Sequence, residues 1–177
     1  MKIVLMRHLD TEFCGSNRFC GRTDCDISPE ADVFLTDKIS NQIESGDFVV
    51  FSSPMKRCIS TGSKLKSIFS IDSITICDAL IERDYGIYNG SKKQDVQDLI
   101  RNGQEVDFRN NTLLRPTGGE SQMDVKLRVH NFMDSLKGKY DNVFIITHQG
   151  VLREIYSWLG TNNFKKFYPG EIRIEVI

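Results

Sequence analysis

Lys2-Ile3-Val4-Leu5-Met6-Arg7-His8-Leu9-Asp10-Thr11 is the stretch on which the fold turns. Its apolar run, led in by Lys2 and ending at Met6, has the unbroken pattern of a buried parallel strand. Arg7 and His8 follow without a spacer. In an open α/β sheet, ligands gather beyond the carboxyl ends of the strands, so these two side chains stand where chemistry is usually done. Taken alone they carry little, because an arginine in an ion pair beside a polar loop histidine reads the same way.

The pattern recurs. Val143-Phe144-Ile145-Ile146-Thr147 is another buried strand, and it delivers His148-Gln149-Gly150. Phe48-Val49-Val50-Phe51 and the shorter Ile74-Thr75-Ile76 complete the strands between them. Ser52-Ser53-Pro54 has the form of a cap and a first-turn proline, which predicts a helix through about Phe69 with Cys58, Leu65, Ile68 and Phe69 on its apolar face. Arg57 lies in its first turn and leans back toward the helix N-terminus, where an anion would also meet backbone N–H groups. Ser28-Pro29-Glu30 predicts a further helix start, with Ala31, Leu35, Ile39 and Ile43 as a buried stripe. Helices are also expected from Lys92 to about Arg101, through Val125, Val129, Phe132, Met133 and Leu136, and from Val151 to Leu159. Glu171 to Ile177 alternates and predicts a half-exposed edge strand. The ordering implies an α/β protein: a three-layer α/β/α sandwich with a mainly parallel sheet and an edge strand at the C-terminus.

At 177 residues the chain suits one domain over 1–177 that buries a real core, with a small cap-like insertion around 83–120. Its apolar fraction of 40% and charged fraction of 27% are those of an ordinary globular protein. A formal charge of −1 gives no general attraction to nucleic acid or an anionic membrane, so an anion site has to be local. No apolar stretch is long enough for a membrane span, and the N-terminus lacks a signal-peptide layout. The odd number of five cysteines argues against a disulfide framework and for a reducing cytoplasm. Cys14, Cys20 and Cys25 lack the close pairing of structural zinc ligands, so free loop thiols are expected and no metal site.

Two histidines at one sheet edge, with Arg7 and Arg57, suit a dianionic phosphoryl group: bidentate donors for its oxygens and stabilisation of the charge in transfer. A histidine nitrogen can carry the phosphoryl group transiently. A carboxyl must protonate the departing alkoxide, and Glu82 is best placed for it. The cationic side chains would take the place of a metal, so no cofactor is expected.

The ordered motifs resemble the histidine phosphatase superfamily, the phosphoglycerate mutase-like proteins. They are Arg7-His8 with Thr11; Phe19-Cys20-Gly21-Arg22-Thr23-Asp24; Ser52-Ser53-Pro54 with Arg57 and Thr61; Leu80 with Glu82, Gly86 and Gly90; Gly118-Gly119-Glu120-Ser121; and Thr147-His148 with Gly150 and Arg153. The resemblance implies that His8 is the phosphorylated nucleophile and Glu82 the proton donor, with Arg7, Arg57 and His148 on the phosphoryl oxygens. It also implies phosphate or substrate contacts by Thr11, Cys20, Gly21 and Gln149, and a small phosphorylated substrate as partner. The Phe19–Asp24 loop and His148-Gln149-Gly150-Val151 are most similar to alpha-ribazole phosphatases of cobalamin assembly. This chain departs from the family pattern at Leu9 and Asp10, where Gly and then Glu or Gln are usual, and at Cys14, where Asn is common. The competing readings are a phosphoglycerate mutase-type transferase, against which the short chain argues, and a non-catalytic phospho-ligand binding module.

Overall fold

A computed structural model of the chain describes residues 1–13, 17–32, 41, 43, 47–69, 71–161 and 164–177. Five strands make one sheet: β1 (Lys2–Arg7), β2 (Val49–Ser52), β3 (Ile74–Ile76), β4 (Asn142–Thr147) and β5 (Ile172–Val176). Their spatial order is β3-β2-β4-β1-β5. All neighbours run parallel except β5, which closes the edge antiparallel to β1. The apolar runs at β1 and β4 are therefore adjacent inner strands, and Ile3 to Met6 and Val143 to Ile146 have no exposed surface.

Alternation along these strands splits the core in two. Ile3, Leu5, Val143 and Ile145 face α3 (Gln122–Leu136) and α4 (Gln149–Trp158), through Val125, Val129, Met133, Val151, Leu152 and Ile155. Val4, Met6, Phe144 and Ile146 face the opposite way, onto Cys58, Leu65 and Phe69 of α1 (Lys56–Ile68) and its end. A sandwich of helix, sheet and helix results. Residues 83–120 carry α2 (Lys93–Arg101) and a small core of their own, Phe19, Tyr88, Val96 and Phe108. Phe19 comes from the loop after β1, so that loop is pinned to the segment by its aromatic ring.

Several local expectations need correction. Ser28-Pro29-Glu30 forms a turn, with the Ala31 N–H donating to the Ser28 carbonyl, and no helix begins there. Of its predicted stripe, Ala31 and Ile43 are buried, whereas Leu35 and Ile39 lie outside the described residues. The helix α1 starts at Lys56 and takes no side-chain cap, because its N-cap residue is Met55, whose own N–H donates to Ser53 Oγ at 3.3 Å; Ile68 is 42% exposed rather than part of the apolar face. Cys20 is disulfide-bonded, against the expectation of free loop thiols, while Cys25, Cys58 and Cys77 are free. By contrast α3 begins as a full capping box, Ser121 and Asp124 each accepting from the other's backbone N–H.

Candidate active site

Register places the two histidines side by side. Arg7 pairs with Thr147 across the β1–β4 ladder, so His8 and His148 both stand one residue past its end. Their ring centroids are 5.1 Å apart. His8 Nδ1 lies 2.7 Å from the Leu9 carbonyl oxygen, an acceptor only, so the ring proton sits on Nδ1 and donates there. That leaves the Nε2 lone pair free. The Leu9 N–H in turn donates to Thr61 Oγ1 at 3.0 Å, and Thr61 to the Arg57 carbonyl at 2.6 Å. What residue 9 contributes to the site is thus backbone, while its side chain is buried in the core. A leucine there supplies the same carbonyl that a glycine would.

Arg57 has no solvent exposure, yet its guanidinium reaches the cleft. Its Nη2 donates to the Gly21 carbonyl and its Nη1 to the Thr23 carbonyl, each at 2.8 Å, and its Nε donates to His148 Nδ1 at 3.2 Å. Since His148 Nδ1 accepts, the proton of that ring is on Nε2, which donates to Ser53 Oγ at 2.7 Å. Gly21 has φ +46°, and a Cβ there would fall 2.0 Å from Asn89 Oδ1 and 2.8 Å from the Tyr85 ring. Only glycine brings its carbonyl to Arg57 in this way.

Glu82 enters from the turn after Leu80. Its Oε1 accepts from the Arg83 N–H at 2.9 Å and its Oε2 from the Gly150 N–H, in the first turn of α4, at 3.3 Å. A Cβ at Gly150 would lie 2.4 Å from Oε1. The carboxylate therefore occupies the space a side chain would fill. Behind it, Arg22 bridges Asp84 and Glu120 at 3.4 and 3.1 Å, and Arg128 holds Glu120 at 3.2 Å, which locks residues 82–90 to α3.

Arg7, His8, Cys20, Gly21, Arg57, Glu82 and Gln149 line one cleft of about 380 Å³. Thr11 and His148 are buried and do not line it. Gln149 Oε1 accepts from the Phe167 N–H at 3.1 Å, and Arg7 Nη1 donates to the Phe167 carbonyl at 2.9 Å. Arg7 Nε is buried without an acceptor, an N–H whose desolvation costs about 1–3 kcal/mol unless an anion takes it. Sequence reasoning missed six further cations in the lining: Arg18, Arg83, Lys93, Arg109, Arg153 and Lys166. One of them, Arg153, sits in a quoted motif and Arg18 directly precedes another, but no spacing rule joins the six. Among the described residues no group of three or more His, Cys, Asp or Glu could hold a metal ion, and no helix is long and apolar enough to cross a membrane.

The imidazoles add no charge. Burial, then Arg57, hold both well below the usual histidine range. A nucleophile needs this, because a protonated ring has no lone pair to offer. It also has a stability consequence. Above about pH 6.5 both rings are neutral whether the chain is folded or not. Below it the unfolded chain takes up protons that the folded rings refuse, so stability falls as the pH drops. Between pH 7.5 and 5.5 each histidine should cost on the order of 1 kcal/mol. Thermal midpoints at the two pH values test this, with His148→Gln expected to show a smaller fall; equal falls in both proteins would contradict it.

The sequence model of the family described as histidine phosphatase superfamily (branch 1) matches residues 3–173. Phosphoserine phosphatase 1 of Hydrogenobacter thermophilus is 25% identical over 181 residues, covering 95% of this chain and 80% of that protein. Among solved structures, a mycobacterial glucosyl-3-phosphoglycerate phosphatase in complex with VO3 superposes with a TM-score of 0.73 at 17% identity, over 98% of this chain and 91% of the other. A putative alpha-ribazole-5'-P phosphatase from Escherichia coli superposes with a TM-score of 0.65 at 22% identity, over 89% and 78%.

Proposed function

This chain belongs to the histidine phosphatase superfamily, and from that premise we propose that it is a metal-independent phosphomonoesterase working through a phosphohistidine. The single observation that carries the reading is the neutral His8, with its proton tied to the Leu9 carbonyl and Nε2 free in a cationic cleft. In the first step Nε2 forms a bond to phosphorus while the ester oxygen–phosphorus bond breaks. Arg7 and Arg57 hold the phosphoryl oxygens, His148 fixes Arg57 through Nδ1, and Glu82 gives its proton to the leaving alkoxide. Water then attacks the phosphohistidine, and the Glu82 carboxylate takes its proton.

The substrate is a small phosphorylated metabolite, and residues 83–120 serve as the cap over it. Alpha-ribazole 5'-phosphate belongs among the substrates on the strength of the Phe19–Asp24 loop and the fold it shares with the bacterial protein. Phosphoserine belongs there through the Hydrogenobacter relative. The test is phosphate release in chelator from alpha-ribazole phosphate, phosphoserine, 3-phosphoglycerate, sugar phosphates and p-nitrophenyl phosphate. Release from at least one member is expected. Activity lost in chelator and restored by metal would overturn metal independence, and transfer requiring a phosphoglycerate primer would favour the mutase reading.

Glu82→Gln should lower kcat/KM on an alkyl phosphate by about 10²-fold or more, yet change p-nitrophenyl phosphate far less, because a good leaving group departs without a proton. Equal losses on the two substrates would remove Glu82 from proton transfer.

A further inference from the structure

Gln122 is the first residue of α3 and lines the cleft, and behind it lies a carboxylate that the reaction does not use. Glu154 of α4 is 4% exposed and has no ion pair among the described residues. Its Oε1 accepts from Gln122 Nε2 at 3.0 Å. A carboxylate only accepts, so the amide turns its NH2 toward Glu154 and its carbonyl the other way. Gln122 Oε1 accepts nothing among the described residues and is not enclosed, so it faces the open cleft. Glu154 also fixes where that carbonyl stands. It follows Gly150 by four residues on α4, on the same face and about 6 Å along the axis. The Gly150 N–H is the donor to Glu82 Oε2, so Gln122 stands about one helical turn from the group that meets the departing alkoxide.

A bridge between two packed helices is the plain alternative. Those helices already meet through Val125, Val129, Val151, Leu152 and Ile155, and a buried carboxylate adds a desolvation cost that apolar residues would avoid. The chemistry of the lining gives the pair another use. Its eight arginines and lysines donate only. His8 Nε2 and the Glu82 carboxylate are committed to the reaction, and Gln149 Oε1 is taken by the Phe167 N–H. With the Tyr85 hydroxyl, which can donate or accept, Gln122 Oε1 is the side-chain oxygen left to accept from a substrate among the described residues. A ligand group that matches it must donate, and beside so many cations a neutral hydroxyl fits where an ammonium would be repelled.

We propose that Gln122, oriented by the buried Glu154, reads the leaving alcohol: its carbonyl accepts a hydrogen bond from a substrate hydroxyl, so that the preferred esters are those of polyhydroxy alcohols. This rests on the phosphatase reading of the same cleft. Gln122 is then a specificity-determining residue and Glu154 its positioning residue. An ester whose alcohol carries no further hydroxyl leaves the carbonyl without a donor and loses that hydrogen bond.

Calorimetric binding to His8→Ala protein, which holds ligand without turnover, tests the role of Gln122. Glycerol 3-phosphate is compared with propyl phosphate, and glucose 6-phosphate with cyclohexylmethyl phosphate, so that each polyhydroxy ester meets its hydroxyl-free counterpart. The hydroxylated member of at least one pair should bind about fivefold tighter or more, the worth of one neutral hydrogen bond. Adding Gln122→Met should cut that ratio to about twofold or less. Gln122→Met with Glu154→Met should do the same, and it removes both partners so that no buried carboxylate is left unpaired. A mere bridge between helices would weaken both members of a pair alike. Equal binding within both pairs, no binding by any member, or a ratio that survives these substitutions would overturn the proposal. Failure of wild-type protein to hydrolyse p-nitrophenyl phosphate would overturn the phosphatase reading instead, and the binding ratios would still decide the role of Gln122.

Discussion

His8→Ala should abolish turnover on every phosphate ester, with kcat lower by a factor on the order of 10⁴ or more, while orthophosphate still binds. The reason is local. The only free lone pair the ring offers is on Nε2, since Nδ1–H is committed to the Leu9 carbonyl at 2.7 Å. His148 cannot stand in for it, because its Nδ1 is filled by Arg57 and its Nε2 proton is on Ser53. Rapid base quenching of wild-type protein with labelled substrate should trap a base-stable phosphoryl group that is lost in acid and is absent from the variant. Retention of substantial turnover in His8→Ala would remove the covalent route.

Gly21→Ala should lower the thermal midpoint by about 10 °C and reduce kcat/KM with it. At φ +46° a Cβ meets its own backbone, at about 1–2 kcal/mol. The new methyl also overlaps Asn89 Oδ1 at 2.0 Å. That oxygen cannot swing aside freely, because it accepts from the Arg22 and Tyr85 N–H groups while the Asn89 amide donates to Asp84. Overpacking of this kind adds about 1–3 kcal/mol. Together these come to roughly 3 kcal/mol, which for a chain of this size is about 10 °C. Activity falls because the Gly21 carbonyl holds Arg57 Nη2. Scanning calorimetry with kinetics on the same preparations checks both; a midpoint within 2 °C of wild type would mean the loop relaxes around the methyl.

What could be read from the residues was whatever the backbone pattern dictates directly. Strands β1 and β4 are buried on both faces, so their apolar runs are unbroken, and the charged residue or histidine that ends each run marks the sheet edge. Their joint position follows from parallel pairing alone. Legibility stopped where a side chain answered to a distant partner. Ser53 has the sequence context of a helix cap, but its hydroxyl oxygen accepts from His148, 95 residues away, and from the Met55 N–H, and the helix begins at Lys56 with Met55 as its cap residue. Ser28-Pro29 likewise has capping residues without a helix following directly. The protonation of the two imidazoles depends on burial and on Arg57, neither of which spacing reveals. The six further cations of the cleft come from separate stretches of chain and share no period, so only the folded arrangement collects them.

The one-to-one pairing of Lys2 with Asn142 through Arg7 with Thr147 makes the sheet a measuring rule for chemistry. Each rung advances about 3.3 Å and turns the next side chain to the other face. A single residue inserted within β1 or β4 would carry its histidine one rung away from the other and aim it into the opposite layer. Evolution can therefore exchange the letters of these two segments far more readily than it can alter their length, and gaps among functional descendants should fall in the connecting loops.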